Sequence, residues 1–229
     1  MWLLHSSIGR KLVMSITGIA LVLFLLFHLS MNVTAVFSAD EYNLICTFLG
    51  ANWYAVLATC ILGILVFFHI VYSIMITVQN NKARGRAHYA VSPRSKGVSW
   101  ASQNMLILGS IVCGFLVLHI YQFWRRMMFA ELLGHHEIMI NGTMFSPQDG
   151  HAFICYYFSQ LWVVIAYLAW YVALWFHLTH GFWSAFQSIG WNNRHWLNRW
   201  KTLSNFVATI IILGFMFVTI TFYVRSQIN

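Results

Sequence analysis

Eleven histidines in 229 residues are the side chains best equipped for chemistry in this chain. Imidazole titrates near neutrality and binds transition metals through either nitrogen. Five of them, His28, His69, His119, His177 and His180, stand inside long apolar runs. An ionisable group there is expensive and usually faces the interior of a helix bundle. A single such histidine is equally well explained by a hydrogen bond to a neighbouring helix, but four successive runs that each supply one are not. The stretch HLTHGFWSAFQSIGW places His177 and His180 three apart, on one helical face. Gly181 follows His180, and its missing side chain would let a flat ligand approach the backbone. That favours His180 as a ligand and leaves His177 as an alternative ligand or a hydrogen-bonding neighbour.

Elements that hold these residues follow from composition. The chain is 60% hydrophobic and 8% charged, whereas soluble domains carry about 25% charged residues. Apolar runs at 12–37, 53–79, 102–129, 152–183 and 203–224 each meet the roughly 20 residues that cross a bilayer as a helix. The predicted fold class is an all-α membrane protein, a five-transmembrane-helix bundle forming one domain over residues 1–229. The first run follows Arg10 and Lys11 as a signal peptide would, but it is longer than the roughly 7–15 residues of such a segment and reads as a retained span. Ten of the 13 Lys and Arg residues fall at the N-terminus and in the second and fourth connections, against Arg125, Arg126 and Arg225 on the other side. This asymmetry places the N-terminus in the cytoplasm and the C-terminus outside. It also accounts for the +8 charge without a nucleic-acid partner, because the basic residues form no single stripe.

Depth then sorts the histidines, at a rise of ~1.5 Å per residue. His28 lies 17 residues beyond Lys11, and His119 lies six before Arg125, so both belong to the outer half. His69 lies 13 residues before Lys82 and His180 lies 14 before Arg194, so both belong to the inner half. Two pairs at two depths, each drawn from two helices, suit an iron porphyrin with two axial imidazoles. Zinc would want three or four ligands at one depth. With both axial positions filled, the expected chemistry is electron transfer across the membrane.

SSIGRKLVMSITG, followed by FHLSMN with His28 and Asn32 four apart, resembles the opening of the di-haem cytochrome b subunit of succinate:quinone oxidoreductases. HLTHGFWSAFQSIG resembles the matching segment of the same family, in its single-subunit anchor type. The resemblance implies a membrane anchor for succinate dehydrogenase or fumarate reductase in the bacterial cytoplasmic membrane. It implies two haem b groups, the outer on His28 and His119 and the inner on His69 and His180. It further implies a flavoprotein with FAD and an iron–sulfur subunit docked on the cytoplasmic side, with a membrane quinone, menaquinone by preference, as substrate and a higher oligomer of the complex as a possibility. Family members with an outer quinone site carry an acid near the outer start of the second span. Asp40 and Glu41 stand nearest here, with Glu41 preferred for proton exchange. Some fumarate-reducing relatives also carry a glutamate two residues before the last histidine, where this chain has Leu178.

Other features carry less. Arg10, Lys11, Arg125 and Arg126 sit at span ends, where they could meet haem propionates or simply anchor at the interface. The stretch holding His135, His136 and His151 reads as a solvated loop, and Asn141-Gly142-Thr143 matches a glycosylation acceptor. Cys46 and Cys155 fall near one membrane face, where they could pair. Rival readings are the cytochrome b subunit of a hydrogenase or formate dehydrogenase, and a haem-free histidine-lined transporter.

Overall fold

The computed structural model describes residues 6–84, 100–191, 193 and 195–228. The basic residues Arg86, Arg94, Lys96 and Arg194 used in the orientation argument lie outside these. The described chain is helical apart from one two-stranded hairpin, and five of its helices are long and apolar enough to cross a membrane. It is therefore a multi-pass all-α membrane protein.

Helix α1 (Ser7–Phe37) and helix α3 (Trp53–Arg84) supply the first two spans. Between them stands a short helix α2 (Ala39–Phe48), in a stretch where the sequence had offered only two candidate acids. Its start is a Ser-x-x-Glu signature: the Ser38 hydroxyl accepts the Glu41 backbone N–H at 3.2 Å. Within the third expected run, 102–129, α5 (Met105–His119) continues into a π-helical segment (Ile120–Trp124) as one 20-residue span, flanked by the short helices α4 (Trp100–Gln103) and α6 (Met128–Leu132). The fourth, expected at 152–183, is divided into α7 (Gly150–Phe158) and α8 (Leu161–Ile189). At this break the Ser159 hydroxyl and the Gln160 amide both donate to the Tyr156 carbonyl, at 2.9 and 3.0 Å. Local side-chain bonds of this kind compete with the helical ladder.

Helix α8 ends in a Schellman turn. Gly190 adopts φ +93°, and the Trp191 N–H reaches the Phe186 carbonyl at 3.1 Å. Asn193 then starts α9 (Trp196–Ile228), its side-chain oxygen accepting the N–H groups of His195 and Trp196 at 3.1 and 2.9 Å. The hairpin pairs β1 (Ile138–Ile140) with β2 (Thr143–Phe145). Asn141 and Gly142, at φ 49° and 85°, form its turn.

Two compact units interleave along the sequence, so no single cut separates them. The first comprises Met1–Phe24, Leu62–Ser110 and Leu174–Thr209; the second comprises Leu25–Ile61, Ile111–Ala173 and Ile210–Asn229. The first carries ten of the 13 Lys and Arg residues and no carboxylate side chain, while the second carries all five acids. Leu108, Leu178, Ala185 and Ala208 are buried in the first unit, and Phe153, Ile154, Val163 and Ile211 in the second.

Candidate functional site: two histidine pairs

The histidines divide between the units as the depth argument grouped them: His28 and His119 in the second, His69, His177 and His180 in the first. In the second unit the rings of His28 and His119 meet at an interplanar angle of 86° with centroids 5.8 Å apart. An iron held by two opposed imidazole nitrogens at about 2 Å each would place the ring centroids roughly 6 Å apart, so this spacing fits a shared metal. In the first unit the ring facing His69 is that of His177, at 6.3 Å. The expected facing of His69 and His180 is not found. His180 instead sets its ring edge-on to Trp183 at 5.2 Å.

Two glycines pack beside the His69–His177 pair. A Cβ on Gly18 would lie 3.4 Å from His69 Cε1, and one on Gly109 would lie 3.6 Å from His177 Cε1. Gly181, which had favoured His180, faces only the end of Met105 at 3.9 Å.

Two hydroxyls approach the Nδ1 atoms of these rings. The Thr17 hydroxyl lies 2.9 and 3.1 Å from the Val13 and Met14 carbonyls and 3.2 Å from His69 Nδ1. The Tyr167 hydroxyl donates to Gln122 Oε1 at 2.8 Å and lies 3.3 Å from His119 Nδ1. With the hydroxyl hydrogens on those oxygens, each contact suits a ring that carries its proton on Nδ1, the tautomer that leaves Nε2 free for a metal. His28 is held differently: Asn32 donates to its backbone carbonyl at 2.7 Å, and Tyr42 donates to Asn32 Oδ1 at 3.3 Å. His177 Nδ1 is buried without a hydrogen-bond partner.

Gln122 belongs to the π-helical segment that begins directly after His119. The wider turn of a π segment changes the direction of every side chain that follows it, and such segments cluster at functional sites. Here Gln122 is 3 % exposed and Tyr167 2 %, so the hydrogen-bonded chain behind His119 is sealed. Thr17, Gly18, Gly109, Gln122 and Tyr167 had not been singled out from the sequence. Thr17 and Gly18 do fall within the SITG of the opening motif.

The remaining candidates lie apart from the pairs. Asp40 and Glu41 are exposed in the first turn of α2, where acids favour the helix N-terminus. Two further acids are tied to backbone. Glu131 accepts from the Ala51 N–H at 3.0 Å and from Gln148 at 2.7 Å, and Asp149 caps α7 through the Ala152 N–H at 3.0 Å. Arg125 stacks over the Tyr121 ring at 4.6 Å, and Arg126 lies between Tyr121 and Tyr157 at 5.4 and 5.6 Å. Lys11 is exposed and Arg10 half-buried in the first turns of α1. His135 and His136 are exposed, while His151 packs on Phe222 and contacts Cys155 Sγ at 3.6 Å. Cys46 and Cys155 are both free thiols. Burial pushes the Cys46 thiol up to about 11. Among the described residues no three His, Cys, Asp or Glu side chains converge as a metal-binding group. The chain matches no protein-family model, no curated protein and no solved structure.

Proposed function

We propose that this chain is a di-haem cytochrome b, the membrane anchor of a bacterial succinate:quinone oxidoreductase. The observation that carries the reading is the close pair of imidazoles in each unit, at 5.8 and 6.3 Å, each with one ring whose Nδ1 contacts a hydroxyl. His28 and His119 would hold one haem b. His69 and His177 would hold the other, with His180 released from axial duty. Haem iron with both axial positions taken by imidazole exchanges single electrons and leaves no open site for oxygen. The residues supply the rest: Thr17 and Tyr167 would orient two of the rings, and Gly18 and Gly109 pack beside the His69–His177 pair.

Partners follow from the resemblance in the opening and fourth-span motifs. An iron–sulfur subunit and a flavoprotein with FAD would dock on the cytoplasmic side, where ten basic residues can steer their approach. A membrane quinone, menaquinone by preference, would exchange electrons with the chain. Moving the ligand to His177 also moves the position two residues before it, from Leu178 to Trp175. Neither is acidic, so the glutamate of some fumarate-reducing relatives has no counterpart here in either frame.

Porphyrin extraction and a redox spectrum of the purified protein test the reading. Two non-covalent haems per chain are expected. His177→Leu should lose one of them, and His180→Leu should keep both; the reverse result would return the axial role to His180. No haem, in a folded preparation made with haem available, would sink the proposal.

A further inference from the structure

Arg125 and Arg126 stand side by side directly after the third span, at the end that the basic asymmetry reads as outer. The positive-inside bias disfavours cations there, so an adjacent pair asks for a reason beyond topology. Their neighbours are aromatic. The Arg125 guanidinium lies 4.6 Å from the Tyr121 ring centroid, and that of Arg126 lies 5.4 Å from Tyr121 and 5.6 Å from Tyr157. Two polar atoms of this cluster are buried without a hydrogen-bond partner: Arg126 Nη1 and the hydroxyl of Tyr157, a residue only 5 % exposed. Arg126 acts electrostatically on that hydroxyl, so the two orphaned atoms belong to one place. Leaving buried polar groups unpaired is costly, most of all for a charged one. The acids nearest in sequence are committed elsewhere. Glu131 holds the Ala51 N–H and Gln148, and Asp149 holds the Ala152 N–H and Asn43.

Guanidinium N–H groups only donate, and the Tyr157 hydroxyl has a hydrogen to give, so the partner that fits is an acceptor with several oxygens. Carboxylate and phosphate both qualify, and Arg binds either through two parallel hydrogen bonds. Position selects phosphate. Arg125 is exposed, and Val117, Ile120, Tyr121 and Trp124, at helical spacing along the span before it, are exposed as well. They offer acyl chains an apolar strip that ends at the two cations. The end of a span is also the level at which the hydrocarbon gives way to head groups. We propose that Arg125, Arg126 and Tyr157 form a binding site for the phosphate of an anionic phospholipid in the outer leaflet. The site uses none of the histidines and needs only a chain that spans a membrane, so it does not rest on the electron-carrier reading.

Native mass spectrometry of the purified, haem-loaded protein tests this, after titration in detergent with phosphatidylglycerol or with phosphatidylcholine. Phosphatidylglycerol is expected to stay bound when detergent is stripped, and phosphatidylcholine to be retained less. Arg126→Gln should weaken retention roughly tenfold, as expected for one charge-assisted hydrogen bond, and Tyr157→Phe roughly fivefold. Arg225→Gln, which removes another cation from the same side, should change nothing, and the haem spectrum should be the same in all three variants. Equal retention of both lipids by the parent, or undiminished retention by Arg126→Gln and Tyr157→Phe, would overturn the site. Displacement of the lipid by inorganic phosphate that is itself retained would assign a free anion and overturn the lipid source. A shifted haem potential in Arg126→Gln, with lipid retention intact, would assign the guanidinium to a haem propionate and overturn the proposal too. Selective retention by a protein that binds no haem would support this site and defeat the electron-carrier reading alone.

Discussion

A histidine in a membrane helix becomes informative once the partner of each ring nitrogen is known. Thr17 and Tyr167 place a hydroxyl 3.2 and 3.3 Å from Nδ1 of His69 and His119. Carboxylate or hydroxyl partners of this kind orient a ligating ring and raise its basicity, and losing one typically weakens metal affinity by roughly 10–100-fold. If His28 and His119 hold a haem, Tyr167→Phe should loosen it by about that factor and leave a haem of the first unit in place. Thr17→Val should do the converse. Titrating haem into apo-protein measures both, and equal loss of both haems in either variant would assign these residues to general packing. The histidines were legible in the sequence because they interrupt apolar runs. Tyr167 was not, because one tyrosine among ten in an aromatic-rich chain has no local signature, and its partner His119 lies 48 residues away.

At the scale of elements, the interruptions matter more than the spans. Hydropathy made the five crossings readable, yet it could not see the π segment after His119 or the break between α7 and α8. Both are made by hydrogen bonds and by polar residues that leave mean hydropathy nearly unchanged. Asn-Gly flanked by Ile-Met-Ile and Thr-Met-Phe is a strong type I′ hairpin signal, masked in the sequence by the polar, histidine-rich residues around it. Asn141 anchors this turn by donating to the Tyr156 hydroxyl at 2.7 Å, and Phe145 stacks on Phe153 at 5.2 Å. Gly142 sits at φ +85°, where a β-branched residue is strained. Gly142→Val should destabilise the hairpin by about 1–3 kcal/mol and speed proteolytic cleavage within residues 134–148. Unchanged cleavage would show that Phe145 and its neighbours hold the strands without the turn.

For the whole molecule, the same partition appears in charge, in packing and in chemistry. The unit with ten basic residues and no acid holds one facing histidine pair, and the unit with all five acids holds the other. Histidine spacing made the two depths legible in the sequence, which was read as one domain. Which histidine stands beside His69 was not legible, because His177 and His180 share a helical face and only tertiary packing sets His177 against His69 and His180 against Trp183. If each unit holds its own haem, the two sites should fail independently, since distant sites without shared partners act additively. His28→Leu is expected to give one haem per chain with the spectrum of the first unit, His69→Leu one haem with that of the second, and the double variant none. Redox titration of the three proteins beside the parent would check this. Loss of both haems from either single variant would mean that the units cannot bind haem separately, and that occupation of one site is part of how the other folds.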